Sequence, residues 1–208
     1  MQTTQKQHES KAKFLNSAFH VIRVKGYNAT RVEDLCEAAG LTKGSFFHHF
    51  SSKEDLILAA TEHWDAINGA FFATAPWRSL ADPRERLLAY IDFRKGLLKG
   101  DLPAYTCFAG TMVQEVYRTH PFIREACEQS ITGHAATLEP DIAEAIRKYG
   151  IRANWTPGSL ALYMQAVLQG ALILAKATGG PEVAAACLDH LRRHLEMLFT
   201  PATEEKAS

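Results

Sequence analysis

The stretch Ala29-Thr30-Arg31-Val32-Glu33-Asp34-Leu35-Cys36-Glu37-Ala38-Ala39-Gly40-Leu41-Thr42-Lys43-Gly44-Ser45-Phe46-Phe47-His48-His49-Phe50 decides the fold. Thr30 followed three residues later by Glu33 reads as a capping box. It opens a helix with Val32, Leu35, Cys36 and Ala39 on one face. Gly40 breaks that helix, Leu41 plugs inward, and Thr42 caps a second short helix ending near Phe50. Phe46 and Phe50, four apart, anchor its inner face. Thr42, Lys43, Gly44 and Ser45 form its leading edge, all small or donor-bearing. Two short helices joined by a tight turn are the layout of a helix-turn-helix, whose second helix enters the major groove of duplex DNA by its N-terminal end. Ser51-Ser52-Lys53-Glu54-Asp55-Leu56 follows at once, with Ser52 opening another helix and Glu54 and Asp55 suiting its N-terminal dipole. Lys53 is placed to meet a phosphate beside that helix's free N–H groups.

Working outward, helical spacing runs through the chain and strand signals are nearly absent. A first helix is expected from about His8 to Lys25, with Phe14, Leu15, Ala18, Val21 and Ile22 inward and Gly26 as its C-terminal stop. The helix opened by Ser52 should reach about Ala73. Residues 75–82 read as a loop, and Pro83 suits the first turn of a helix reaching Lys99. Further helices are expected over 104–119, over a long stretch ending at Tyr149 and kinked near Gly133 or Pro140, and over 159–177 and 181–198. The fold class is therefore all-α, with about nine helices: an N-terminal three-helix reader and a helical body. The expected division is residues 1–53, 54–199 and a loose tail over 200–208.

Composition narrows the function. The formal net charge is zero, yet residues 1–53 carry eight Lys and Arg against four Asp and Glu, so a +4 head precedes a −4 remainder. A basic head on an acidic body docks on phosphate while keeping the body off it. No secretory leader and no apolar run long enough to span a bilayer is read, so neither a membrane span nor a membrane partner is expected, and the location expected is cytoplasmic. The four cysteines, Cys36, Cys107, Cys127 and Cys187, are widely spaced and read as reduced thiols, without a zinc ribbon or disulfide framework. No cofactor or metal is called for. His190 and His194, four apart, lack a supporting carboxylate. No glycine-rich phosphate loop, His-Glu-x-x-His or nucleophile elbow points to an enzyme.

The run from Gly26-Tyr27 through Thr30, Ala39 to Ser45, His48-His49-Phe50 and Ser52 to Leu56 resembles the N-terminal domain of the tetracycline-repressor (TetR) family. The likeness covers roughly residues 1–60; beyond them only length and helical character agree. It implies a homodimeric, ligand-responsive transcriptional regulator, usually a repressor, on a double-stranded operator. It also implies that Thr30, Arg31, Thr42, Lys43, Gly44, Ser45, Phe47, His48 and Lys53 lie at the DNA. One departure is Phe47, where the family usually has a tyrosine whose hydroxyl reaches a phosphate; a phenylalanine cannot donate that bond.

The body suggests a pocket and a dimer. An aromatic-rich middle with interspersed polar groups supplies a candidate effector set: Trp64, Asn68, Phe71, Tyr90, Phe93, Arg94, Cys107, Phe108, Met112, Tyr117, Met164, Gln165 and Gln169. His134 is among the polar residues of the same region. The expected effector is a small, mostly apolar molecule. In the last helix Leu188, Leu191 and Leu195 recur at three and four, a seam that wants a partner helix, while Ala166 and Gly170 in the preceding one allow close approach. These five are the expected dimer residues. Two other readings stay open: a regulator acting through protein contacts without a ligand, and an electrophile sensor using Cys107.

Overall fold

The computed structural model describes residues 2–200, with side chains from residue 7 onward, and among these residues the regular structure is entirely helical. The helices are α1 (Gln2–Ala29), α2 (Val32–Ala39), α3 (Lys43–His49), α4 (Lys53–Ala73), α5 (Pro83–Gly96) and α6 (Leu102–Tyr105). They continue as α7 (Phe108–Val116), α8 (Pro121–Ala136), α9 (Glu139–Tyr149), α10 (Pro157–Thr178) and α11 (Glu182–Leu198). The all-α expectation holds, with finer division than expected. The 75–82 loop contains a 3-10 turn at Pro76–Ser79. The 104–119 helix is split by Cys107, whose Sγ accepts the Gly110 N–H at 3.2 Å and caps α7. The long stretch before Tyr149 breaks between Ala136 and Glu139 rather than bending. The tail expected over 200–208 lies, beyond Thr200, outside the described residues.

Two compact units emerge. The first takes residues up to Phe71 together with Thr106–Ile131. Its core joins Phe14, Ala18 and Ile22 of α1 to Leu35, Phe46, Leu56 and Ile57, and to Phe108, Met112 and Ile123 from later in the chain. The inward face expected for α1 is therefore the observed one. The second unit takes Phe72–Tyr105 and the residues from Thr132 on. Its core gathers Leu87, Tyr90 and Ile91 of α5, Ile142 of α9, Met164 and Leu168 of α10, and Leu188, Leu191 and Leu195 of α11. Packing does not divide the chain at the boundary expected after residue 53: α4 as far as Phe71 belongs with the first unit.

Helix α10 corrects one expectation. Its 22 residues include an 18-residue window of mean hydropathy 1.5, long and apolar enough to cross a bilayer by length and composition. The reason is that both of its sides are apolar. Leu160, Met164, Leu168 and Leu172 lie in the interior, whereas Leu162, Tyr163, Ile173 and Leu174 are exposed. The inner side packs within the second unit, where α10 meets α9 and α11.

Candidate functional site

The turn ahead of α2 is built by a glycine and a carboxylate from far along the chain. Gly26 sits at φ 78° and ψ 170°, a conformation open to glycine alone, and it breaks α1 where the sequence says it should. Glu115 of α7 reaches this break, and its Oε2 accepts the Asn28 N–H at 2.9 Å. A Cβ on Gly26 would lie 1.9 Å from the Glu115 carboxylate. The break frees the Gly26 carbonyl, which takes the Thr30 hydroxyl at 2.6 Å. This displaces the expected cap by one residue. Thr30 is buried and occupied, so α2 starts after Arg31, whose N–H donates to Asp34 Oδ2 at 2.8 Å. Thr30 thus holds the turn from inside rather than presenting its side chain outward.

Lys53 also works on this turn. Its ammonium donates to the carbonyls of Tyr27 at 2.8 Å and Thr30 at 2.9 Å, and stands 4.0 Å from the centre of the Tyr27 ring. Burial lowers its pKa from the ordinary lysine value. Two of its three donors serve the protein, which the sequence alone does not disclose.

The turn between α2 and α3 follows the expected local rules. Gly40 is left-handed, with φ 65°; its N–H reaches Glu37 O at 3.0 Å and that of Leu41 reaches Cys36 O at 2.9 Å. That pair of bonds is a Schellman closure, which satisfies two carbonyls of α2. Thr42 Oγ1 accepts the Ser45 N–H at 3.1 Å and caps α3. Phe46 and Phe50 are buried against Phe14, with ring centres 5.5 and 6.1 Å away, so α3 is fixed on α1 by its inner face. Its leading edge stays outside: Thr42, Lys43 and Gly44 are exposed, as are Arg31, Phe47 and His48, while Ser45 is half-buried. Lys43 pairs with Glu33 of α2, and this contact lowers the Glu33 pKa and raises that of Lys43. Glu33 therefore acts as an acidic counterweight on the leading edge, although its spacing reads as a helix cap.

The candidate effector residues are divided between the two units. Trp64, Asn68, Phe71, Cys107, Phe108, Met112 and Tyr117 fall in the first unit, the remaining six in the second. Phe108 and Met112 are fully enclosed, whereas Phe71 and Tyr117 are exposed. Asn68 donates to Trp64 O at 2.8 Å, so its amide serves its own helix. Cys127, in the same unit, has its pKa pushed up to about 12 by burial, which disfavours a reactive thiolate there. In the second unit the structure does bring residues together. Tyr90 Oη and Arg94 Nη1 lie 3.0 and 3.3 Å from His134 Nε2, with Phe72 4.6 Å from the imidazole and 5.9 Å from Phe93, centre to centre. Burial, with Arg94 and Arg78 nearby, lowers the His134 pKa to about 3, so its ring is neutral and Nε2 is an acceptor. Met164 and Gln165 are buried and Gln169 half-buried on α10. His134 completes this group from 40 residues beyond Arg94, a pairing that no spacing in the sequence signals.

The leucine seam needs correcting. Leu188, Leu191 and Leu195 are 0–2% exposed, so they face their own subunit and leave no surface for a partner. Three- and four-residue spacing marks a buried face but does not say which helix covers it. Ala166 is exposed and Gly170 half-exposed, on the outward side of α10.

An all-helical chain with a capped two-helix reader and a separate helical core defines a helix-turn-helix regulator. The family described as bacterial regulatory proteins, tetR family, matches residues 14–60, and the tetracyclin repressor-like C-terminal domain matches residues 83–193, more than half of the chain. The chain belongs to the TetR family of transcriptional regulators, whose helix-turn-helix binds DNA. An uncharacterized HTH-type transcriptional regulator from the lacX 3' region of Lactococcus lactis is 27% identical over 197 residues, which cover 90% of this chain and 93% of that one. Matches to three other curated regulators span only 19%, 40% and 27% of those proteins' lengths. A TetR-family regulator from Agrobacterium tumefaciens shares the fold, with a TM-score of 0.79 at 22% identity over 90% of this chain and 98% of that one. The regulator CifR, solved with a 26-bp operator duplex, has a TM-score of 0.73 at 20% identity over 86% of this chain and 94% of that one.

Proposed function

We propose that this protein is a cytoplasmic repressor that binds a palindromic operator as a homodimer and is released by a small effector. The observation that carries the reading is the exposed edge Thr42-Lys43-Gly44 at the tip of a helix whose other side is locked by three phenylalanines. A rigid helix with a small, donor-bearing tip is what major-groove reading requires. Lys43, Ser45 and His48 read bases or adjacent phosphates, and Arg31 and the third donor of Lys53 serve the backbone. Thr30 supports the turn. Phe47, 58% exposed and without a donor, offers apolar contact to a sugar or a thymine methyl. Residues 1–53 are the reader; the remainder carries the effector site and the dimer surface.

The dimer reading rests on the outward faces of α10 and α11. Leu162, Tyr163, Ile173, Leu174 and Met197 are 45–69% exposed, with Ala166 and Gly170 between them. Small residues among large apolar ones permit close helix approach, and a two-fold pair is what a palindromic site requires. Effector binding in the second unit shifts the population toward head orientations that no longer fit successive grooves; a coupling of about 1–3 kcal/mol suffices.

Selection of bound duplexes from a random pool, with the mass of the bound species measured by light scattering, tests the reading. Two symmetric half-sites about one or two helical turns apart and two chains per complex are expected. A monomer at micromolar concentration, or recovered duplexes without two-fold symmetry, refutes it.

A further inference from the structure

The second unit holds a half-buried cation that pairs with no carboxylate among the described residues. Arg94 of α5 has its Nη1 3.3 Å from the neutral His134 and its guanidinium carbon 5.3 and 6.0 Å from the ring centres of Phe72 and Tyr90. Among the described residues no carboxylate pairs with it, whereas Arg78, Arg84, Arg86 and Arg192 of the same unit each have an acidic partner. A second donor packs against Tyr90. Trp77 is 3% exposed, its ring centre is 5.3 Å from that of Tyr90, and its indole N–H has no acceptor among the described residues. Buried donors without partners and a sheltered charge without its opposite are costly arrangements, retained where a ligand completes them. Arg94 also lines a cleft of about 40 Å³ whose walls include Leu97, Leu98, Leu168, Leu172 and Leu188.

We infer that Arg94 and this leucine-walled cleft bind a small aliphatic monocarboxylate, the carboxylate on the guanidinium and the short hydrocarbon body among the leucines. This rests on the effector reading above and gives that effector a chemical class. Each feature of the site selects one part of the molecule. The fork of N–H donors on an arginine matches the two oxygens of a planar carboxylate. The neutral His134 adds no competing charge, and the apolar walls exclude a strongly hydrated dianion such as phosphate. The cleft is far below the roughly 300–1,000 Å³ usual for drug-sized ligands, which limits the body to a few carbons.

The experiment titrates the full-length, ¹⁵N-labelled protein with butyrate and with butyramide, its neutral isostere. Heteronuclear NMR follows the side-chain N–H signal of Arg94, and calorimetry gives the affinity. Butyrate is expected to bind saturably and to move the Arg94 signal, with butyramide at least tenfold weaker. Arg94→Gln is expected to lower butyrate affinity at least tenfold and to leave butyramide unchanged. Equal affinity for the two probes, or no saturable butyrate shift, overturns the inference, and that comparison needs no variant. Operator affinity is measured in parallel by fluorescence anisotropy. Butyrate that binds at Arg94 without altering operator affinity upholds the carboxylate site and defeats the effector reading. Release of operator by other compounds, with no butyrate binding, does the reverse.

Discussion

Acid should unfold this protein partly through one histidine. His134 titrates near 3 in the folded chain and near 6.5 when exposed. Between these values the unfolded chain binds a proton that the native one refuses, so stability rises with pH across that window. The contribution is complete above about pH 6.5 and is lost as pH falls from there toward 3. At about 1.4 kcal/mol per pH unit, going from pH 7 to pH 5 removes about 2 kcal/mol. The cause is local: burial strips the imidazolium of water, and Arg94 and Arg78 repel it, while Tyr90 offers only a hydroxyl. His134→Gln keeps an acceptor for Arg94 and Tyr90 but has no proton to gain. Urea titrations of both proteins at one fixed concentration, at pH 7, 6 and 5, give the comparison. The wild-type protein should lose more than the variant between pH 7 and 5, by about 2 kcal/mol. Parallel losses in the two proteins would refute the argument.

Three further outcomes are expected. Gly26→Ala forces a side chain into a glycine-only conformation and against Glu115, so it should cost about 1–3 kcal/mol from the backbone alone, read in a urea melt; an unchanged midpoint would count against the turn described. Glu33→Gln frees Lys43 from its partner, so operator binding should tighten severalfold and the slope of log K against log salt should steepen by up to about 0.9; an unaltered slope would remove Lys43 from the phosphate contacts. Asp82 caps α5 by accepting the Arg84 and Glu85 N–H groups, and, although partial burial opposes it, hydrogen bonds from Lys148 and Tyr149 hold its carboxyl far below the usual carboxylate range. Asp82→Ala should therefore cost about 0.5–2 kcal/mol at pH 7, a difference that shrinks as pH falls below about 3.8 toward the folded value. A difference that grows in acid would contradict it.

What the sequence discloses is what is decided within a few residues. Gly40, Thr42 and Ser52 act on neighbours three or four positions away, so their turns and caps are legible from the string and are found in place. Thr30 misleads because its hydroxyl has a competing acceptor, the Gly26 carbonyl, that exists only once α1 has broken. Lys53 reads as a surface cation because the carbonyls it serves lie 26 and 23 residues earlier. The Leu188, Leu191 and Leu195 stripe is correctly apolar, but its covering partners, α5 and α10, are set by tertiary packing. His134 and Arg94 meet across 40 residues, and their shared electrostatics arise only from that meeting.

The hook of Glu115 on the turn at Gly26 and Asn28, with Phe108 and Met112 in the same core, bears on how the head is made and exchanged. A ribosome that has released the reader helices has not yet supplied the pieces that finish them. Closure must wait until about residue 131 emerges, so folding here does not proceed strictly from the first residue onward. For the same reason, a chimera cut after residue 53 would transplant a head without its clasp; grafting new operator specificity calls for carrying the Thr106–Ile131 segment along.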